Sequence, residues 1–214
     1  MTQDLIKGLE AFKRDQYSDA GENLMPRLVK EGQSPKYFII SCIDSRSNPS
    51  TIFRTQPGSF FAHKAMGAIV RPYKQGTALS AALQFALNHN KVEQIIVLGH
   101  TDCGAIQALV DNLDDPEISS FINVAKNALI KAQTCCSEHD QIIKRTVQEV
   151  VLESVENLKS YPSVKQALQE QRVTISPWIF DMEEGNLLEH NVNSNKFEII
   201  STNEPIKGDH KNHA

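Results

Sequence analysis

Apolar positions along this chain alternate between two periods, and the changes of period mark its elements. In the first thirty residues Leu5, Ile6, Leu9 and Phe12 form one helical stripe and Leu24, Leu28 and Val29 another, interrupted around Gly21 and Pro26. An arm of this kind cannot bury its stripe alone, so it must pack on the body of the molecule or on a neighbouring subunit. Residues 37–42, YFIISC, are apolar almost throughout and too short for a helix, the pattern of a strand buried on both faces. Asn48 before Pro49 reads as the cap and first residue of a short helix through Ile52 and Phe53. Pro57-Gly58 predicts a turn, and SFFAHKA a strand. Leu79, Ala82, Leu83, Ala86 and Leu87 share one face of a helix over 77–88. QIIVLGH then gives a second buried strand ending at His100, and CGAIQALV opens another helix.

Two longer helices are predicted over 117–134 and 139–160, the second marked by Ile143, Val147, Val150, Val151, Val155 and Leu158. VTISPWIFDMEEGNLLEH has the form of strand, turn at Glu184-Gly185-Asn186, and strand. Strands alternating with helices, without internal repeat or linker, imply a single α/β domain. Its central sheet is expected to be mostly parallel and flanked by helices. Residues 1–30 form the N-terminal helical arm, 31–205 the body, and 206–214 a polar tail.

Composition narrows the function classes. The chain has 214 residues, and 22 Lys and Arg against 26 Asp and Glu give a net charge of −4, which supplies no basic face for nucleic acid. No stretch reaches membrane-spanning length, and MTQDLIKGLEAFKRDQ lacks the apolar core of a signal peptide, so a cytoplasmic protein is expected. Four cysteines are too few for a disulfide scaffold. Cys135 and Cys136 are adjacent and read as two small buried hydrophobes on a helix, which leaves Cys42 and Cys103 to explain.

In an open α/β sheet, ligands collect at the carboxyl ends of strands. The first buried strand delivers Cys42 there, and the second delivers His100 with Cys103 three positions later. Two thiolates and one imidazole suit zinc, and three protein ligands leave one tetrahedral position open, as catalysis needs. The competing reading is a packed cysteine at each strand end and a polar exit from the core. Asp44, two residues beyond Cys42, could reach that open position or a water there. Arg46 could hold Asp44 back through a charge-assisted pair and keep it ionised.

Taken together, CIDSR (42–46), PGSFF (57–61) and GHTDCGA (99–105) resemble the β-class carbonic anhydrases. The likeness continues through ESVENLKSYPSV and WIFDMEEGNL and so covers roughly residues 30–190. It implies that residues 31–205 are a catalytic domain for the reversible hydration of carbon dioxide. Cys42, His100 and Cys103 would hold one Zn²⁺ per subunit, with Asp44 also a candidate ligand, and Asp44 and Arg46 would form the catalytic dyad. EGQSPKYF resembles the plant-type branch of that family, in which Gln33 would donate a hydrogen bond to substrate or bicarbonate. Phe61, Met66 and Phe85 match positions lining its apolar pocket, Phe85 replacing a common tyrosine. Lys64-Ala65 departs from the family's usual Arg-Asn and loses bidentate geometry. Ile39, Lys64 and Phe180 stand where another branch builds an inhibitory bicarbonate site from Trp, Arg and Tyr, so no such site is expected. His63 reads as a packing or surface residue rather than a proton shuttle.

The resemblance further implies a homodimer, or a tetramer built from dimers, with the arm embracing its partner. Two thiolates donate strongly to a zinc ion, so activity should rise toward alkaline pH. Rival readings are a hydrolase of carbonyl sulfide or carbon disulfide on the same scaffold, and a zinc-stabilised binding module without turnover. A zinc dehydrogenase is weaker, because no GxGxxG occurs.

Overall fold

Four of the five strands read from the sequence become the parallel part of a six-stranded sheet in a computed structural model, which describes residues 2–19, 22–74 and 77–200. Strand β1 (Tyr37–Ser41) lies between β2 (Phe60–Lys64) and β3 (Gln94–His100), and β4 (Thr174–Phe180) continues the parallel set beyond β3. β5 (Leu187–Asn191) and β6 (Lys196–Ile199) then add as antiparallel strands, giving the order β2-β1-β3-β4-β5-β6. The sheet is therefore mixed, parallel over four strands and antiparallel over its last two pairings. β6 has no counterpart in the sequence reading: four residues at a sheet edge, one of them half-buried and three exposed, give little alternation to detect.

The chain leaves β1 toward β2 on one side, then crosses back over β1 to place β3 on its other side and β4 beyond that. Connections from the two neighbours β1 and β3 thus diverge, which opens a crevice at their carboxyl ends. Ser41 pairs with Leu98, so Cys42 emerges beside the last turn of β3.

Helices α1 (Gln3–Gln16) and α2 (Leu24–Glu31) precede the sheet, and neither contains a buried residue. Leu5, Ile6 and Leu9 are 76%, 52% and 56% exposed, so this part of the α1 stripe does not pack on the body of its own chain, whereas Leu28 of α2 lies against Gly58. Pro26 does not interrupt the second stripe as expected; it sits in the first turn of α2, where a missing N–H costs nothing. Gly21 and the tail at 206–214 lie outside the described residues.

Short helix α3 (Pro49–Ile52) starts at Asn48, whose side chain accepts from the Ser50 N–H. Helix α4 (Ala78–Gln84) begins at Thr77 and runs into a π-helical turn over Phe85–His89. Helix α5 (Gly104–Val110) follows β3 directly. The helix expected over 117–134 is two, α6 (Pro116–Ile122) and α7 (Lys126–Cys135), joined by a 3-10 turn. Helices α8 (His139–Leu158) and α9 (Pro162–Gln169) complete the set.

Helix α7 corrects one reading. Cys135 is exposed and Cys136 half-buried, not packed inside. The buried face carrying Ala128 and Ala132 ends with the helix, because Cys136 turns to an extended backbone.

The larger core cluster joins Phe38, Ile40, Ile95 and Val97 on one sheet face to Val147, Val150, Val151 and Leu158 of α8. Gly99 permits this close approach: a Cβ there would come within 2.5 Å of Val151 Cγ2. Gly99→Ala should therefore overpack the sheet against α8 and cost about 1–3 kcal/mol. A fall of several degrees in the melting temperature is expected, and an unchanged midpoint would show that α8 yields freely.

Candidate metal centre

Both strand ends deliver what their sequence promised. The Sγ atoms of Cys42 and Cys103 lie 4.0 Å apart, and one ligand atom each from Cys42, His100 and Cys103 falls within 4.8 Å of the others. All three residues are buried, at 3%, 1% and 2% exposure. No other such group of His, Cys, Asp and Glu occurs among the described residues.

The donor set fits a zinc ion on three observations. Two Zn–S bonds of about 2.3 Å meeting at a tetrahedral angle span about 3.8 Å, close to the separation of these sulfurs. His100 Nδ1 lies 2.8 Å from the Thr101 carbonyl oxygen, which makes it the donor nitrogen and leaves Nε2 with its lone pair free. Nε2 is buried and has no hydrogen-bond partner, a costly state for an isolated imidazole and the right one for a ligand.

The two thiols are shifted in opposite directions. Cys42 is lowered to about 4, chiefly by a hydrogen bond from Cys103, against the burial that opposes it. The same contact, together with burial, pushes Cys103 up. Burial pulls the His100 pKa down, but the neighbouring Cys42 sulfur and the Thr101 carbonyl outweigh it and the net shift is upward. The Gly67 N–H also donates to Cys42 Sγ at 3.3 Å.

Helix α8 braces the Gly67 segment. Ser154 Oγ accepts from the Val70 N–H and donates to the Ala68 carbonyl, while Asn157 Nδ2 donates to the Val70 carbonyl. Gly67 itself needs its glycine, since φ is +61° and a Cβ would press on Ile106 at 3.3 Å. On the opposite side Lys64 Nζ donates to the Cys42 carbonyl at 2.7 Å, a single bond that a point-charge ammonium makes well.

Asp44 lies outside the ligand cluster and is engaged by Arg46. Its Oδ1 accepts from the Arg46 backbone N–H at 2.8 Å and from Nε at 3.1 Å, and Oδ2 accepts from Nη2 at 2.9 Å. The Arg46 side chain, first among the causes, holds the Asp44 pKa down at about 2. Arg46 is in turn gripped by Asp102, whose Oδ2 accepts from Nη1 at 2.8 Å and whose carbonyl accepts from Nη2 at 3.2 Å. Gln107 Nε2 donates to Asp102 Oδ1 at 3.0 Å and fixes that carboxylate. Asp102 and Gln107 escaped the sequence reading. Asp102 stood inside GHTDCGA only as a spacer, and nothing in the sequence announces its left-handed backbone, φ +53°.

Phe61 and Phe85 meet edge to face with centroids 5.8 Å apart, Phe85 being 52% exposed on the π-helical turn. Met66 packs on the large core cluster beside Gly67. Gln33 is exposed in the link between α2 and β1. His63 is half-buried on β2, and that burial lowers its pKa. Ile39 and Phe180 belong to the smaller apolar cluster on the other sheet face.

Comparison with known proteins places this arrangement among relatives. The family model described as carbonic anhydrase matches residues 37–187. Beta carbonic anhydrase 5 of Arabidopsis thaliana chloroplasts is 32% identical over 179 residues, which are 80% of this chain and 59% of that protein. A carbonic anhydrase of Pseudomonas aeruginosa is 32% identical over 194 residues, 86% of each. Among solved structures, the β-carbonic anhydrase CcaA superposes with a TM-score of 0.82 at 29% identity, covering 92% of this chain and 98% of that one.

Proposed function

The chain belongs to the carbonic anhydrase family, in its β class, and from that membership we propose that it catalyses the reversible hydration of carbon dioxide to bicarbonate and a proton. The observation that carries the proposal is the convergence of two thiols and an unpartnered imidazole nitrogen beside a carboxylate immobilised by arginine. Cys42, His100 and Cys103 would hold one Zn²⁺ per chain, which would acidify water and so supply a nucleophile near neutral pH.

The chain's own residues then set direction. An ionised carboxylate only accepts hydrogen bonds. Any O–H beside Asp44 must therefore turn its hydrogen toward the carboxylate and its lone pair away, toward carbon. Arg46 fixes the Asp44 plane with three donors, and Asp102 with Gln107 fixes Arg46, so little reorganisation is left for the reaction itself. Phe61, Met66 and Phe85 offer carbon dioxide a surface with no hydrogen-bonding demand, and Gln33 donates to the developing bicarbonate oxygen. Hydrocarbon at Ile39 and Phe180 supports the absence of an inhibitory bicarbonate site.

Asp44 stays ionised across the working range. Its pKa is depressed, so the stability it lends is present above the ordinary carboxylate pKa near 4 and is lost as pH falls toward about 2. Any change of rate between pH 6 and 9 thus belongs to another group. A carbon dioxide hydration assay on the zinc-loaded chain should show activity rising through that range. A flat profile, or sulfide release from carbonyl sulfide outpacing hydration, would count against the proposal.

The assembly proposed is a homodimer or a tetramer built from it. The exposed stripe of α1 and the exposed Ile43 and Phe85 support burial of apolar surface against a partner chain. Light scattering should give at least twice 23.9 kDa, and a mass at the single-chain value would contradict it.

A further inference from the structure

The second pair of cysteines has no part in that chemistry, and its geometry differs from the first. Cys135 Sγ and Cys136 Sγ lie 3.2 Å apart at the exposed end of α7. The pair is not a second zinc site. A tetrahedral zinc would spread two sulfurs to about 3.8 Å. Nor is a third protein ligand at hand: His139, three residues on, is engaged by Asp111 at 2.7 Å, and the sole ligand cluster among the described residues is the one at Cys42.

A different coordination habit matches. Bonds of about 2.3 Å meeting near a right angle, as in a three-coordinate pyramidal centre bearing a lone pair, span about 3.3 Å. Trivalent arsenic has that habit and needs only two sulfurs, the third position being filled by its own substituent. We propose that Cys135 and Cys136 form a surface dithiol site that captures trivalent arsenicals by bidentate ligation.

The reaction balances without an oxidant. An aryl arsine oxide and two thiols give an aryl dithioarsinite and one water; both thiol protons leave on the oxygen, two As–S bonds replace the As–O bond, and arsenic remains trivalent. The contact with Cys135 raises the Cys136 pKa above the usual thiol value, so that sulfur still holds the proton that leaves on the oxygen. Cys135 Sγ also donates to the Ala132 carbonyl at 3.3 Å, which orients it along the helix end toward its neighbour.

Phenylarsine oxide added in equimolar amount to the reduced, zinc-loaded full chain tests this. Intact-mass and peptide analysis should find one arsenical per chain on the peptide carrying residues 135 and 136, with zinc still at one per chain. Excess monothiol should leave the adduct in place, and a small dithiol should remove it. Cys135→Ser and Cys136→Ser should each weaken uptake by on the order of 10²-fold, because the second sulfur no longer acts at high effective concentration. No adduct while N-ethylmaleimide labels both cysteines would overturn the proposal. So would full uptake by either variant, or an adduct that expels zinc from Cys42 and Cys103.

Discussion

Cys103→Ala protein should purify with far less than one zinc per chain and hydrate carbon dioxide on the order of 10³-fold or more slowly than the native chain. Cys103 is 2% exposed and lies in the large apolar cluster at the start of α5, so alanine exchanges one small hydrophobe for another. The fold should survive, at a cost of about 1 kcal/mol for the atoms removed. What does not survive is the ligand set: Cys42 and His100 alone offer two donors to an ion that takes three or four. Metal content and rate should therefore fall together while the far-ultraviolet dichroism is unchanged. Full zinc retention would mean that the metal is held elsewhere.

Asp44→Asn should separate binding from turnover. Zinc should remain at one per chain, while kcat/KM should drop about 10²–10³-fold, the usual loss when a positioned acceptor or donor is removed from a reacting centre. The geometry gives the reason. Arg46 directs its backbone N–H and Nε at Oδ1 and Nη2 at Oδ2, and an amide offers only one acceptor oxygen to that fork. Asparagine must either set its NH₂ against Nη2 or rotate away, and in both poses it no longer forces an incoming O–H to one orientation. Arg46→Lys should give an intermediate loss, since one ammonium cannot grip Asp44 and Asp102 at once. Undiminished kcat/KM in Asp44→Asn would remove Asp44 from the mechanism.

The parts of this site legible in the sequence are those that strand ends deliver. YFIISC and QIIVLGH are buried runs of strand length, and topology brings their carboxyl ends together wherever neighbouring strands connect in opposite directions. Cys42 and His100 could be paired on that argument, and Cys103 followed from the turn into α5. Asp102 could not, because its role depends on a left-handed backbone and on reaching across to a loop 56 residues earlier. The Gly67 N–H was equally hidden, being placed by Ser154 and Asn157 from a helix distant in sequence. Cys135 and Cys136 misled for a local reason: periodicity says which face a residue would share but not where the helix stops. The stripe of α1 was plain in the sequence, and Leu5, Ile6 and Leu9 remain exposed in the folded chain.

X-ray absorption at the zinc edge of the purified protein probes the centre itself. Two sulfurs at about 2.3 Å with one nitrogen and one oxygen at about 2.0–2.1 Å are expected. A shell of one sulfur, or of three or more, would contradict a metal held by Cys42, His100 and Cys103 with one position left for solvent.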